Sequence, residues 1–382
     1  MSSNVRTDCF FNLTAEQRFD LFKRRQSLRT DTVYRKYFGW FVLPLALIGA
    51  ILVTLFIITV YQAIKARRVS RKCYILLLNR AIGDLLSCLV ALIVCAYVLL
   101  SQKINRDVVP LMETFFTGSF WSAMVSYVAL SLLKLFAVWR PFHYRKWFTM
   151  KRCINVIILS WVVFILMVSY ALGAAALVKI PALNEWSGCR MESCLRTMYR
   201  SRNLVTVGVY FFTIIVFVIT VLLIQRAQRY VDSFNRDSNN SEGGRRVRFP
   251  LWKLALNVAT FAILYLLYVI WSIGQLINTD QCYFQRNYPE MTRLLGIVRF
   301  GLLLRIIVDP ILSFLTDFQI RRGFLFLIGV NNPLSFGSSR IFHRSTCSDS
   351  IGENPRNSVE RNGRSQTVET NLSTSAPTTI KF

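Results

Sequence analysis

Histidine is rare and acidic residues are few in this chain of 382 residues, which has 2 His and 20 Asp plus Glu against 46 Lys plus Arg. It has no CxxC, HExxH, glycine-rich phosphate loop or GxSxG motif in a context that would support the chemistry of that motif. The sequence therefore lacks the motifs that usually support metal ligation, phosphate binding or nucleophilic catalysis. We predict that the chain is not an enzyme and that it holds no metal and no cofactor.

The formal net charge of +26 would suggest nucleic acid as the partner of a soluble protein. The chain is, however, 53% hydrophobic with a mean hydropathy of +0.40, and its Lys and Arg residues collect at the ends of apolar segments. Anionic lipid headgroups explain such a distribution. We therefore predict the lipid bilayer as a partner and no binding of nucleic acid.

Long apolar segments dominate the rest of the sequence. Seven of them, numbered helices 1 to 7, are Phe38–Ile64, Cys73–Leu100, Pro110–Trp139, Cys153–Val178, Leu204–Gln225, Pro250–Ile277 and Leu294–Thr316. Each reaches the roughly 20 residues that an α-helix needs to cross a bilayer, where a helix satisfies its own backbone polar groups. We predict an all-α membrane protein, a seven-transmembrane helix bundle. A short amphipathic helix over Phe318–Ile328 should follow helix 7 on the membrane surface.

The remaining residues form tails and loops. Residues 1–36 are polar and contain Lys23, Arg24 and Arg25, so no signal peptide is visible and helix 1 is expected to act as the insertion signal. We predict an extracellular N-terminal tail over 1–36, a membrane domain over 37–328 and a disordered cytoplasmic tail over 329–382, which is poor in large apolar residues. The stretch Asp232–Gly244 predicts a flexible cytoplasmic loop.

The distribution of Lys and Arg bears on orientation, because cytoplasmic loops carry the excess. The connections after helices 1, 3 and 5, together with the residues after helix 7, hold 20 of them, and the other three connections hold 9. The N-terminal tail raises that second number to 17. The loops favour an N-terminus outside the plasma membrane, but the charge rule alone leaves the orientation open.

Two further features favour an outside N-terminus. Asn12 begins an Asn-Leu-Thr glycosylation acceptor, although a three-residue pattern also arises by chance. Cys9, Cys189, Cys194 and Cys282 would then all face the oxidising side, where an even number of cysteines can pair fully. Three pairings are possible, and we prefer Cys189 with Cys194 and Cys9 with Cys282.

The predicted helices carry motifs in a characteristic order. These are Asn79–Leu86 in helix 2, Ser131–Tyr144 at the end of helix 3, Trp161 in helix 4, and Asp309–Phe314 in helix 7 with Arg321-Arg322 after it. In this order they resemble the rhodopsin-like (class A) G-protein-coupled receptors over about residues 37–328. The resemblance implies a receptor that transduces an unknown extracellular ligand, chemosensory or peptide, to a cytoplasmic heterotrimeric G protein.

Several departures set this chain apart from most members of that family. Leu133-Lys134-Leu135 replaces Asp-Arg-Tyr, Leu264–Leu267 replaces Cys-Trp-x-Pro, and Asp309 replaces the Asn of Asn-Pro-x-x-Tyr. The pattern is similar to the divergent serpentine receptors of nematodes. The resemblance implies that Lys134 and Arg140 face the G protein. Because Lys134 lacks the planar fork of arginine, a receptor-like chain without G-protein coupling stays an alternative.

Ionisable residues inside membrane helices are costly and are functional candidates. Helix 2 has Arg80 and Asp84, and helix 7 has Arg305 and Asp309, each pair at i, i+4 on one helix face. The resembled family holds a sodium ion beside the helix 2 acid, and we infer that a guanidinium replaces that ion here. Two alternatives stay open: the pairs only neutralise themselves locally, or all four residues line the polar path of a transporter or channel, although we find no inverted repeat.

Arg299 in helix 7 and Glu113 in helix 3 fall at the height where the resembled family binds ligands. Phe116 occupies the position of the aspartate in amine receptors, so we expect no cationic ligand, whereas Arg299 suits an anionic group. Tyr265 and Tyr268 would line the same pocket. The alternative is that Arg299 and Glu113 form an ion pair that closes the bundle, with the aromatic residues serving as helix packing.

Overall fold

The computed structural model describes residues 14, 16–17, 30–65, 71–102, 104–105, 108–140, 143, 148–189, 194–237, 251–278, 280, 283 and 287–327. Seven long helices follow one another: Thr30–Lys65, Arg71–Leu100, Val108–Trp139, Met150–Lys179, Arg196–Asp237, Leu251–Ile277 and Tyr288–Thr316. They keep the names helix 1 to helix 7, and helix 8, Phe318–Leu327, comes after them. The predicted all-α bundle with a short helix after helix 7 is confirmed.

Helices 1 to 6 are long and apolar enough to cross a membrane. Helix 7 is equally long but carries Arg299, Arg305 and Asp309. Arg299 and Arg305 are only 2% and 1% exposed, because neighbouring helices cover them. The charges of Arg299 and Arg305 therefore face protein rather than lipid, which is the arrangement that a membrane-crossing helix with ionisable residues requires.

Two helices run past the apolar segments that predicted them. Helix 1 begins at Thr30, ahead of the predicted domain boundary at residue 37. Helix 5 runs from Arg196 to Asp237, although its apolar segment covers only Leu204–Gln225. The loop predicted from Asp232 is therefore helical as far as Asp237, and that part of the prediction was wrong. Apolar length reports only the span that lipid covers, and a helix can continue into water because its backbone hydrogen bonds are internal.

Helices 2, 3 and 4 are joined by a buried polar network around Asn79. Its side-chain amide donates to Ser126 Oγ at 2.9 Å and to Ser160 Oγ at 3.0 Å, and Trp161 Nε1 donates to Asn79 Oδ1 at 3.0 Å. Both amide hydrogens and the carbonyl oxygen of Asn79 thus have partners on two other helices. Satisfied hydrogen bonds of this kind fix the rotation of packed helices in a membrane.

The N-terminal end of helix 1 departs from α-helical geometry, with a π-helical segment over Tyr34–Trp40. Arg35 Nη2 in this segment donates to the carbonyl oxygens of Ser101 and Gln102 at 3.0 and 3.2 Å. These two carbonyls come directly after helix 2, where the intrahelical donors run out. The segment is thereby tied to helix 2, and Phe38 within it is 1% exposed.

Helix 8 is attached to the bundle through Asp317. Tyr74 of helix 2 donates its hydroxyl hydrogen to Asp317 Oδ2, and Asp317 Oδ1 accepts from the backbone N of Gln319 at 3.0 Å. Ile320 is 1% exposed, whereas Arg321 beside it is exposed. One face of helix 8 therefore packs on the bundle and the other is basic, as predicted for a helix on the membrane surface.

The connection between helices 4 and 5 contains the disulfide between Cys189 and Cys194, whose Cα atoms are 5.8 Å apart. This pairing was the one preferred from the sequence, and it is confirmed. Cys9 and Cys282, the other predicted pair, lie outside the described residues, as does the glycosylation acceptor Asn12. The predicted disordered tail over 329–382 also lies outside them.

Candidate functional site

Helices 2 and 7 bring their four ionisable residues into one buried network. Arg305 Nη1 and Nη2 donate to Asp84 Oδ1 and Oδ2 at 2.9 and 3.1 Å, and Arg305 Nε donates to Asp309 Oδ2 at 2.8 Å. Arg80 also donates to Asp309, and its Nε lies 3.7 Å from Asp84 Oδ2. The two i, i+4 pairs predicted from the sequence are therefore cross-linked between the helices and are not merely local.

Tyr127 of helix 3 is the fifth member of this network, which we name the ion network. Its hydroxyl donates to Asp309 Oδ2 and accepts from Arg305 Nε and Nη2 at 3.1 and 2.8 Å. The same ring lies 3.8 Å from Arg80 Cζ and 4.9 Å from Arg305 Cζ, measured to its centroid. Tyr127 thus contacts both cations with its face or hydroxyl, and it ties helix 3 to helices 2 and 7.

The ion network is electrically balanced, with two guanidinium groups and two carboxylates. Burial of each charge is costly, and paired charges with satisfied hydrogen bonds offset that cost. Asp84 receives both terminal nitrogens of Arg305 in a bidentate contact. This is the geometry expected if a tethered guanidinium takes the place of a diffusible cation beside Asp84.

A second ion pair lies closer to the N-terminal ends of helices 3 and 7. Arg299 of helix 7 donates through Nη1 to Glu113 Oε1 of helix 3. The Arg299 Cζ atom lies 4.9 Å from the ring centroid of Phe116 and 5.5 Å from that of Phe38. The predicted contact between Arg299 and Glu113 is therefore present, and an aromatic residue of helix 1 joins it.

A cavity of about 30 Å³ adjoins this pair between helices 3, 6 and 7. It is lined by Glu113, Phe116, Thr117, Phe120, Tyr268, Leu295, Val298, Arg299 and Leu302. About 10–15 Å³ suffices for one water molecule, so the cavity as it stands accepts only a small group. Glu113, Phe116, Tyr268 and Arg299 lie where the sequence placed them, at one pocket.

Tyr265, also predicted to line the ligand pocket, does not line this cavity. Its ring centroid lies 5.4 Å from Arg305 Cζ, and the residue is 0% exposed. Tyr265 precedes Tyr268 by three residues, about one helical turn, so its side chain reaches the level of the ion network instead. Helical spacing alone shows that the two tyrosines share a face, but it does not show which one reaches the pocket.

The two residues predicted to meet a G protein, Lys134 and Arg140, lie at the C-terminal end of helix 3. Lys134 is half-buried and has no ion-pair partner within the described part of the chain, and Arg140 is exposed. The Arg140 guanidinium carbon lies 5.2 Å from the Trp139 ring centroid. Among the described residues, no acidic side chain therefore neutralises the charge of either Lys134 or Arg140.

Sequence reasoning missed two members of these sites. Tyr127 lies 14 residues after Glu113, which is close to four helical turns, so it continues the inward face of helix 3 that Glu113 and Phe116 define. That spacing was a usable signal. Phe38 had none, because it reaches Arg299 through the π-helical segment of helix 1, and nothing in the sequence predicts that segment.

Comparison with known proteins bears on these sites and on the fold around them. The family profile described as 7 transmembrane receptor (rhodopsin family) matches residues 33–312, which extend from the N-terminal part of helix 1 almost to the end of helix 7. No curated protein matches the chain significantly. The profile covers all seven helices, the ion network and the ion pair Arg299–Glu113. The chain therefore belongs to the rhodopsin family of seven-transmembrane receptors, whose members are G-protein-coupled signalling receptors and not enzymes.

Proposed function

We propose that this protein lies in the plasma membrane with its N-terminus outside and responds to an extracellular ligand that carries an anionic group. The anionic group binds at Arg299, in the cavity between helices 3, 6 and 7. Binding shifts the helix bundle between two conformations, and the cytoplasmic ends of the helices then engage a heterotrimeric G protein at Lys134 and Arg140.

The observation that carries this proposal is the state of Arg299. The residue is 2% exposed, and its Nε and Nη2 atoms meet no hydrogen-bond acceptor among the described residues. A buried guanidinium that uses only part of its donors is costly. An anion that enters the cavity would supply the missing acceptors, so Arg299 favours acidic ligands over neutral or cationic ones.

A paired ligand screen tests the ligand class. Cells that express the receptor are exposed to a set of carboxylic acids and to the corresponding primary amides, with a second-messenger readout. We expect responses from acids only. Arg299→Ala should abolish these responses at near-normal surface expression, and Arg299→Lys should restore them in part, because lysine keeps the charge but lacks the bidentate fork.

The matched control is Arg293→Ala, which changes an exposed arginine of the same helix. It should leave the response intact. If Arg299→Ala instead retains the protein inside the cell while Arg293→Ala does not, the contact with Glu113 is structural and the proposed ligand role is wrong. Responses to amides as strong as those to acids would equally contradict it.

Orientation is tested separately with engineered glycan acceptors. An acceptor beside Lys103, between helices 2 and 3, should be glycosylated in microsomes. An acceptor beside Arg245, between helices 5 and 6, should stay unmodified. The reverse pattern would place the N-terminus inside and would exclude the proposed receptor topology.

Coupling to a G protein is tested at Lys134. Its ammonium group has no ion-pair partner among the described residues, so an acidic or carbonyl group of a bound protein can supply one. Lys134→Ala should reduce the second-messenger response to a responding acid at least about tenfold without changing ligand affinity, as expected for loss of one charged contact. An unchanged response in Lys134→Ala would assign coupling to other residues.

A further inference from the structure

The three nitrogens of Arg299 are used unequally. Nη1 donates to Glu113, whereas Nε and Nη2 have no acceptor among the described residues. Arg305 lies six residues further along the same helix, and its Nη1 and Nη2 donate to Asp84 and its Nε to Asp309. Arg305 therefore donates hydrogen bonds through all three nitrogens, whereas Arg299 donates through one among the described residues.

The two unused nitrogens of Arg299 are adjacent. In a guanidinium group, Nε–H and one N–H of Nη2 point in the same direction along one edge, and Nη1 lies away from that edge. This edge donates two parallel hydrogen bonds, which match the two oxygens of a carboxylate. Glu113 therefore leaves open the edge of Arg299 that is best suited to a second carboxylate.

We infer that the anionic group of the ligand is a carboxylate that binds side-on to the Nε–Nη2 edge of Arg299 while Glu113 stays on Nη1. This inference rests on the proposed function, because it names the ligand class of the same site. It also makes displacement of Glu113 unnecessary for ligand binding.

The surroundings of Arg299 support this assignment. Phe38 and Phe116 lie within 5.5 Å of its guanidinium carbon and restrict how the group can turn. Tyr268, which lines the same cavity, is 5% exposed, and its hydroxyl has no partner among the described residues. Arg299 and Tyr268 thus border one cavity, and Nε, Nη2 and the Tyr268 hydroxyl are three buried donors without a hydrogen-bond partner among the described residues.

The net charge of the Arg299–Glu113 pair also favours a carboxylate over a phosphate dianion. Arg299 and Glu113 already sum to zero, so a monovalent carboxylate leaves a local charge of −1 and a phosphate dianion would leave −2. An uncompensated buried charge grows more costly with its magnitude. The cavity of about 30 Å³ also admits only a small head group. Of these two anions, the planar monoanion leaves the smaller buried charge and presents the smaller head group.

Binding to purified receptor in detergent micelles tests the inference with three probes of one size class. Benzoate has a planar anionic head, benzamide has the same shape without charge, and benzenesulfonate has a tetrahedral anionic head. Titration of the thermal unfolding midpoint measures each dissociation constant, since a ligand of the folded state raises that midpoint. We expect benzoate to bind at least about tenfold more tightly than either of the others, the difference expected for one charge-assisted bidentate contact.

Variants identify the donors. Arg299→Lys should weaken benzoate at least about tenfold, and Tyr268→Phe should weaken it several-fold because one hydrogen bond is lost. Glu113→Gln keeps Arg299 in place and should still bind benzoate. Arg293→Lys serves as the matched control and should change nothing. Equal binding of all three probes, no binding of benzoate, or loss of benzoate binding in Glu113→Gln would each overturn the inference.

Nuclear magnetic resonance distinguishes side-on binding from displacement of Glu113. In receptor labelled with ¹⁵N-arginine, the Nε–H resonance of Arg299 is identified by its absence in Arg299→Lys. Benzoate should shift this resonance downfield and benzamide should not. If benzoate binds and the resonance does not move, the carboxylate has replaced Glu113 at Nη1 and the inference is wrong, while the proposed anionic ligand survives. If the resonance moves but cells never signal, the inference holds and the proposed function fails.

Discussion

The ion network makes a quantitative prediction for Arg305→Met, which removes one guanidinium and keeps an apolar side chain of similar length. Arg305 is 1% exposed and pairs with Asp84, Asp309 and Tyr127. After its removal, Asp309 still has Arg80 and Tyr127 as partners. Asp84, in contrast, keeps only Arg80 at 3.7 Å, so it is the carboxylate that loses its compensation.

The expected magnitude follows from the cost of leaving one buried charge unpaired. Breaking a buried ion pair by removing one partner costs about 3–5 kcal/mol, and the residual contact with Arg80 places Arg305→Met at about 3 kcal/mol. Asp84→Asn alone should cost about 2 kcal/mol, since charge-assisted hydrogen bonds are lost. The double variant has a neutral network again, with Arg80 and Asp309 still paired, and it should cost about 3 kcal/mol rather than the 5 kcal/mol of the sum.

The assay is the free energy of unfolding in mixed micelles, measured by titration with a denaturing detergent for the original protein, both single variants and the double variant. The expected coupling energy is about 2 kcal/mol. Arg293→Met, an exposed arginine of the same helix, should cost less than about 0.5 kcal/mol. Additive losses of Arg305→Met and Asp84→Asn would refute the direct contact, and a cost for Arg293→Met equal to that for Arg305→Met would refute the role of burial.

Two further pairs of variants test the packing of helices 3 and 4 and the hydrogen bond between Tyr34 and Tyr288. A Cβ at Gly118 would clash with Val168 Cγ2 on helix 4, so Gly118→Ala should lower the free energy of unfolding by about 1–3 kcal/mol. Gly173→Ala should not lower it, because no neighbouring atom lies within 4 Å of a Cβ at that position. Equal effects of the two substitutions would contradict the close approach of helices 3 and 4. The hydroxyls of Tyr34 and Tyr288 are 2.6 Å apart, so Tyr34→Phe should cost about 1 kcal/mol in the same measurement, and the double variant with Tyr288→Phe should cost less than the sum of the two single variants. Fully additive losses would mean that the two hydroxyls do not share a hydrogen bond.

Helix 7 illustrates how far sequence reasoning reached in the candidate site. The spacing of Arg305 and Asp309 predicted a shared helix face, and the acid of helix 2 predicted a charged neighbour. The cross-links from Arg80 to Asp309 and from Arg305 to Asp84 depend on the rotation and depth of two separate helices. Local spacing contains no such information, so the sequence left the choice between local and cross-linked pairs open.

The N-terminal residues show where reasoning from apolar segments failed to predict a helix. The polar stretch 1–36 was predicted as a tail, yet Thr30 begins helix 1 and Tyr34 is 2% exposed against its neighbours. The length of an apolar segment predicts only the part of a helix that contacts lipid. It does not predict polar helical turns that pack on other protein segments. The contact of Phe38 with Arg299 was missed for the same reason, because the π-helical segment is held by tertiary contacts.

The sequence by itself determined the class of the fold, the number and order of the helices and the basic helix 8, and it favoured the Cys189–Cys194 disulfide among three possible pairings. These follow from hydrophobic length and from short separations along the chain, which are local quantities. Only the tertiary structure decided that Tyr127 completes the ion network, that Tyr265 belongs to it rather than to the cavity, and that Arg299 has an unused edge. Each of these depends on how helices far apart in sequence are rotated against one another, and that rotation is set by the packing of the whole bundle.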